Sequence, residues 1–168
     1  TNPEWSYRFS YMGPAGAWAT WSDRWFSFID TRIDLSLMRT ARALRTADSV
    51  SALETAHWTA MMLANRSRVV DSWAYPFMIH GIAHRMLTAT PNSNLVDDTG
   101  VGDGARHMSS ADPLAQAATT LGFPLSHPPF VAIDRQAEAW SDEHEVGATA
   151  SGILRNGAQF GRRLLRRG

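Results

Sequence analysis

Two spacings in this chain could hold a metal ion: Glu54-x-x-His57 and His80-x-x-x-His84. Residues three or four apart share one face of a helix. Ferritin-like bundles build di-metal sites from Glu-x-x-His motifs on paired helices, each supported by a further carboxylate. Here the second motif is missing, because Ser141 stands three residues before His144 and Gly81 three before His84. The supporting helical glutamates are missing as well. His57 and His80 therefore read as core or interface histidines, with a helical metalloprotein using Glu54, His57, His80 and His84 as the alternative. Gly100-x-Gly102-x-Gly104 follows no strand, opens no helix and precedes no Lys-Ser or Lys-Thr, so it reads as loop chemistry and not as a phosphate cradle. Asp97, Asp98 and Asp103 lack the spacing and the terminal Glu of a calcium loop. There is no Gly-x-Ser-x-Gly and no cysteine, and the neighbouring carboxylates Asp142 and Glu143 read as surface groups. No catalytic set, no metal site and no cofactor is expected.

Composition narrows the classes further. With 168 residues, 44% hydrophobic and 19% charged, the chain can bury a core as one domain. Sixteen basic and sixteen acidic side chains cancel, which leaves no long-range attraction to nucleic acid or anionic lipid. All the basic residues are arginine. The absence of cysteine removes disulfides and thiolate-ligated metals. No apolar run reaches the ~20 residues a membrane-spanning helix needs. The expected location is cytoplasmic, at most peripheral to a membrane or granule.

Nine of the seventeen aromatic residues fall within the first 28 positions. In residues 4–12, Trp5, Tyr7, Phe9 and Tyr11 alternate with Ser6, Arg8 and Ser10, the period of an extended segment with one apolar side. Gly13-Pro14 ends it. From 15 to 47 the period becomes helical: Trp18, Trp21, Trp25, Phe28 and Ile29 form a stripe that Ile33, Leu37, Ala41 and Leu44 continue. A second helix is expected from near Asp48 or Ser49 to about Trp73, with Ser51-Ala52-Leu53-Glu54 matching a capping box. Pro76 either kinks it or opens a third helix over 76–89. Residues 90–111 read as loop. Asp112-Pro113 is expected to start a short helix, FPLSHPPFVAI to be extended, and 134–145 to form a short acidic helix. Residues 147–167 read as a basic helix. Residues 134–145 carry five acids and one arginine, whereas 151–168 carry five arginines and no acid, so the two segments are expected to pair or to sit solvated.

The stretch WFSFIDTRIDLSLMRTARALRTADSVSALETAHWTAMMLANRSRVVDSW, Trp25 to Trp73, resembles the helical region of phasins, the coat proteins of polyhydroxyalkanoate granules. ADSVSALETAHWTAMM is similar to their pattern of a capped turn, a Leu-Glu pair and an aromatic. The resemblance implies a non-catalytic amphiphilic helical protein. Phasins are poorer in tryptophan and lack a long loop-rich C-terminal part.

The expected fold is mainly α: an antiparallel helical hairpin plus a third helix, an extended N-terminal arm, and a loop-rich C-terminal half with short helices. A single domain is divided into the arm (1–13), a helical core (15–89), a loop-rich segment (90–133) and the acidic and basic helices (134–168). An N-terminal arm so rich in rings needs a groove to cover it, and the expectation is that a partner supplies that groove. The expected function is that of a non-catalytic accessory or scaffolding subunit of a larger assembly. Trp5, Tyr7, Phe9, Tyr11, Trp18, Trp21, Trp25, Arg162, Arg163 and Arg166 form its partner-binding surface. A phasin-like granule coat is the alternative. The partners expected are protein subunits, with a membrane or granule surface met by the basic C-terminal helix and no nucleic acid.

Overall fold

The arm is a β-strand, and the chain carries the strand it pairs with. The computed structural model describes residues 4–11, 17–30, 37–45, 50–70, 72–97, 117–146, 149, 151–154 and 158. In it, β1 (Tyr7–Ser10) runs antiparallel to β2 (Thr88–Pro91), with Tyr7 opposite Pro91 and Ser10 opposite Thr88. Thr88 and Thr90, whose branched Cβ suits a pleated strand, alternate with Ala89 and Pro91. Pro91 sits at the strand end, where its missing N–H costs the least. β2 begins where the third helix was expected to be still running.

The remaining described elements are mainly helical, as the periodicity implies. They are α1 (Ser22–Asp30), α2 (Leu37–Arg45), α3 (Ala52–Arg66), α4 (Ala74–Ala83) and α5 (Arg135–Ser141), the last followed by a π-helical turn, Asp142–Val146. Helices α2, α3 and α4 pack against one another. Their contact holds Leu44, Trp58, Met61, Met62, Ile79 and Ile82, and Tyr11 from the arm joins them. None of the described helices is long and apolar enough to cross a membrane.

Local signals set the starts of these helices. Ser51 accepts from the Glu54 amide at 3.2 Å while Glu54 Oε2 accepts from the Ser51 amide at 2.6 Å, a complete capping box. Pro76 falls in the first turn of α4, where its missing N–H has no intrahelical partner to lose, so it opens a new helix and kinks nothing. Asp134 caps α5 through the Ala137 amide at 3.0 Å.

The helix ends differ from the expected ones. α3 stops at Arg66 instead of continuing to Trp73. Arg68 takes a left-handed φ of 52°, the Arg68 amide returns to Asn65 O at 3.0 Å, and the Val69 amide returns to Ala64 O at 2.9 Å. α4 closes the same way: Arg85 has φ 55°, with Arg85 N to Ile82 O at 3.1 Å and Met86 N to Gly81 O at 2.9 Å. Both are Schellman closures in which arginine occupies the position glycine usually takes. That substitution hides them from a search for glycine stop signals. The Asp112-Pro113 helix start and the triple-glycine stretch lie outside the described residues.

Candidate functional site

The arm was expected to wait for a partner; this chain instead clamps it along both edges. On one side β2 pairs with it, and beyond the strand Asn92 donates from Nδ2 to Trp5 O at 2.9 Å and from its amide to Ser6 O at 3.1 Å. On the other side Ser6 N donates to Ser126 O at 2.9 Å, Ser126 N donates to Ser6 Oγ at 2.9 Å, and Asp134 N donates to Phe9 O at 3.2 Å. A parallel bridge joins Phe9 to Ile133. Tyr7 donates its hydroxyl to or accepts from His127 Nδ1 at 3.0 Å, and its ring meets the edges of Phe9 and His127. Backbone groups of an edge strand left unpaired would favour association with another chain; here they are spent internally. Trp5, Tyr7 and Phe9 are consequently half-buried under their own chain. A cavity of about 660 Å³ remains beside the arm, with Trp5, Arg8, Phe9, Phe130 and Arg135 in its wall.

Tyr11 is the clearest correction. It is 5% exposed and belongs to the core, so it cannot face a partner. Its hydroxyl lies within hydrogen-bonding reach of two acids, Glu54 Oε1 and Asp142 Oδ2, the second at 2.9 Å. A phenol has one proton to give. Two ionised carboxylates could not both be satisfied by it, so one acid must keep a proton of its own. The environment identifies which. Burial works against ionisation of Glu54, yet hydrogen bonds from Tyr11 and Ser51 outweigh it and hold its carboxyl below the usual range. Burial, with the Glu54 carboxylate beside it, pushes Asp142 up to about 7. Burial, together with the hydrogen bond to Glu54, also pushes the Tyr11 phenol far above its ordinary value. Asp142 is therefore the acid that holds a proton below about pH 7.

Glu138, one helical turn before Asp142, is 4% exposed, and burial raises its pKa against the opposing hydrogen bond from Ser10 and the charge of Arg8. Glu138 Oε2 and Asp142 Oδ1 are buried without a hydrogen-bond partner. The cluster thus joins β1 and its end, the start of α3, and the α5–π-turn segment through one shared proton. Its chemistry is that of a polar staple in a low-dielectric setting, where each unmade bond is costly. Asp142 had read as a surface group; the π-helical turn brings it inward instead.

The tryptophans separate into two sets. Trp18, Trp25, Phe28, Trp73 and Phe77 form a continuous ring cluster, with Trp18 5.2 Å and Phe28 5.2 Å from Phe77 between centroids. Phe77 of α4 is the hub against which the α1 stripe packs. Yet the cluster lies at the surface: Trp18 is 38% and Trp73 47% exposed. Beside it Trp21 and Phe26 project outward, 77% and 58% exposed. Trp21, expected within the stripe, makes no ring contact with the cluster among the described residues.

The metal alternative finds no support in the geometry. Glu54 turns to Tyr11, and the His57 ring meets the edge of Trp58 at 5.1 Å. His80 and His84 stack at 4.0 Å, with Phe28 5.7 Å from His80. Among the described residues no three His, Asp or Glu side chains converge as metal ligands. His80 is 1% exposed, and burial, then the like charge of His84, lowers its pKa to about 4. Burial lowers that of His57 too. Arg162, Arg163 and Arg166 lie outside the described residues.

Comparisons of the chain with protein-family models, curated proteins and solved structures returned no match. The functional reading rests on the residues themselves.

Proposed function

We propose that this chain is a non-catalytic accessory or scaffolding subunit that docks on a partner protein through the tryptophan platform at the N-terminal ends of α1 and α4. The observation that carries it is the exposure of four large rings, the touching pair Trp18 at 38% and Trp73 at 47%, with Trp21 at 77% and Phe26 at 58% at the start and in the middle of α1. Rings of this size are rarely left in water without a use, and tryptophan dominates the anchoring residues of protein interfaces. Trp25, Phe28 and Phe77 behind them give the platform a rigid backing.

A protein surface fits better than an anionic membrane. α1 carries two acids, Asp23 and Asp30, against one base, Arg24, which pairs with Asp23 at 3.6 Å, so it offers no net positive charge to such a surface. In this reading α1 with α2 and then α3 form the antiparallel hairpin that presents the platform, and α4 packs on both. The location is cytoplasmic. The arm serves as an internal strap and not as the docking element.

The test uses the full chain, tagged and recovered from its own cells. A complex of fixed stoichiometry is expected by native mass spectrometry. The double variant Trp21→Ser and Phe26→Ser should lose it while melting within about 2 °C of wild type, since both side chains are exposed. A wild-type chain that stays monomeric refutes the proposal, as does a variant that keeps the complex. Recovery with lipid or polyester inclusions refutes it in favour of the granule-coat reading.

A further inference from the structure

The cavity beside the arm has the features of a small-molecule site. Its volume of about 660 Å³ falls within the ~300–1,000 Å³ range of ligand clefts. Trp5, Phe9, Pro128 and Phe130 are among the residues that line it, and two cations, Arg8 and Arg135, border it. Phe130 is 77% exposed although it lines the cavity, so an occupant would cover it.

Arg8 gives the site its chemical preference. Its guanidinium reaches Pro91 O at 3.4 Å and Asn92 Oδ1 at 3.5 Å through Nη1, both long contacts to neutral oxygens. Its Nε is buried with no acceptor. The counter-charge it feels, Glu138, takes its hydrogen bonds from Ser10 and the Tyr11 backbone. The other acid in the wall, Asp134, is the cap of α5. A half-buried guanidinium with an unused donor matches the planar pair of acceptors on a carboxylate. Flat rings on the surrounding wall match an aromatic body.

We infer that the cavity formed by the arm and residues 128–136 binds a small aromatic carboxylic acid, its carboxylate held by Arg8 and its ring against Trp5, Phe9 and Phe130. Arg135, at the first position of α5, adds attraction at the rim. A tetrahedral anion such as phosphate offers no ring for these walls to cover. The site is separate from the tryptophan platform and does not depend on it.

The test compares 1-naphthoate with its neutral isostere 1-naphthamide on the full chain. Binding is followed by calorimetry and by the arginine Nε–H resonances of 15N-labelled protein. Naphthoate should bind saturably, roughly 10- to 100-fold more tightly than the amide, as expected for a charge-assisted hydrogen bond. The Arg8 Nε–H resonance should shift on binding. Arg8→Gln should remove that preference, and Phe130→Ala, at an exposed position, should weaken both probes severalfold. Should Arg8→Gln fail to fold, Arg8→Lys keeps the charge without the fork and should still lose at least tenfold. Equal binding of acid and amide overturns the inference, as does retention of naphthoate affinity in folded Arg8→Gln. No binding up to about 10 mM overturns it as well, and so does displacement by equimolar inorganic phosphate.

Discussion

Replacing Tyr11 by Phe isolates the polar staple from the packing around it. The ring stays among Leu44, Trp58 and their neighbours, and only the hydroxyl goes. That oxygen serves Glu54 and, at 2.9 Å, Asp142 Oδ2. A hydrogen bond to a charged group is worth about 1.5–3 kcal/mol. Asp142 already has one buried oxygen without a partner, so the variant strips its second of the Tyr11 contact. The expected loss is about 2–3 kcal/mol of unfolding free energy. Tyr7→Phe supplies the control: its hydroxyl meets His127 at an exposed site, and its loss should be about 0.5 kcal/mol or less. Urea unfolding at pH 6, followed by far-UV circular dichroism, measures both, with the slope unchanged if only stability moves. A double-mutant cycle with Asp142→Asn should return a coupling of about 1–2 kcal/mol. A Tyr11→Phe variant within about 0.5 kcal/mol of wild type, or one no worse than Tyr7→Phe, would refute the staple.

Two further outcomes follow from the same geometry. Asp142, raised from 3.8 to about 7, holds a proton in the folded state that the unfolded chain has already released, so its contribution is present below about pH 4 and lost as pH rises toward 7. His80, lowered from 6.5 to about 4, stays neutral when folded while the unfolded chain takes up a proton, so its contribution is present above 6.5 and lost as pH falls toward 4. The two oppose each other; in urea titrations between pH 4 and 6.5, Asp142→Asn should become more stable as pH rises, relative to wild type, and His80→Gln less stable. Parallel curves for all three proteins would contradict these assignments. Ser51→Ala breaks the capping box and releases an acceptor of the Glu54 amide, which should cost about 1 kcal/mol and leave the helical content intact by circular dichroism.

How far the chain could be read without coordinates depended on the range of each signal. The arm's alternation and the capping box at Ser51 are local, and both stand in the structure. Pro76 is local too, but periodicity left two readings open that only the turn after Arg66 resolves. The two helix ends escaped because arginine, not glycine, adopts the left-handed conformation at 68 and 85. The candidate site was less legible than the fold. Trp18 and Trp25 were placed on the right stripe, whereas the solvent exposure of Trp21 depends on where α4 supplies Phe77 and where it does not.

The residue order alone determined the mainly helical class, the starts of α3 and α5, and the extended form of the arm, because caps and hydrophobic period act within a few residues. Tertiary structure decided what covers that arm. The strand that pairs with it lies about eighty residues away, and Tyr11 finds Glu54 and Asp142 across separations of 43 and 131 residues. No local preference encodes such contacts. They form because a buried phenol and two buried acids satisfy one another at lower free energy than any of them would alone.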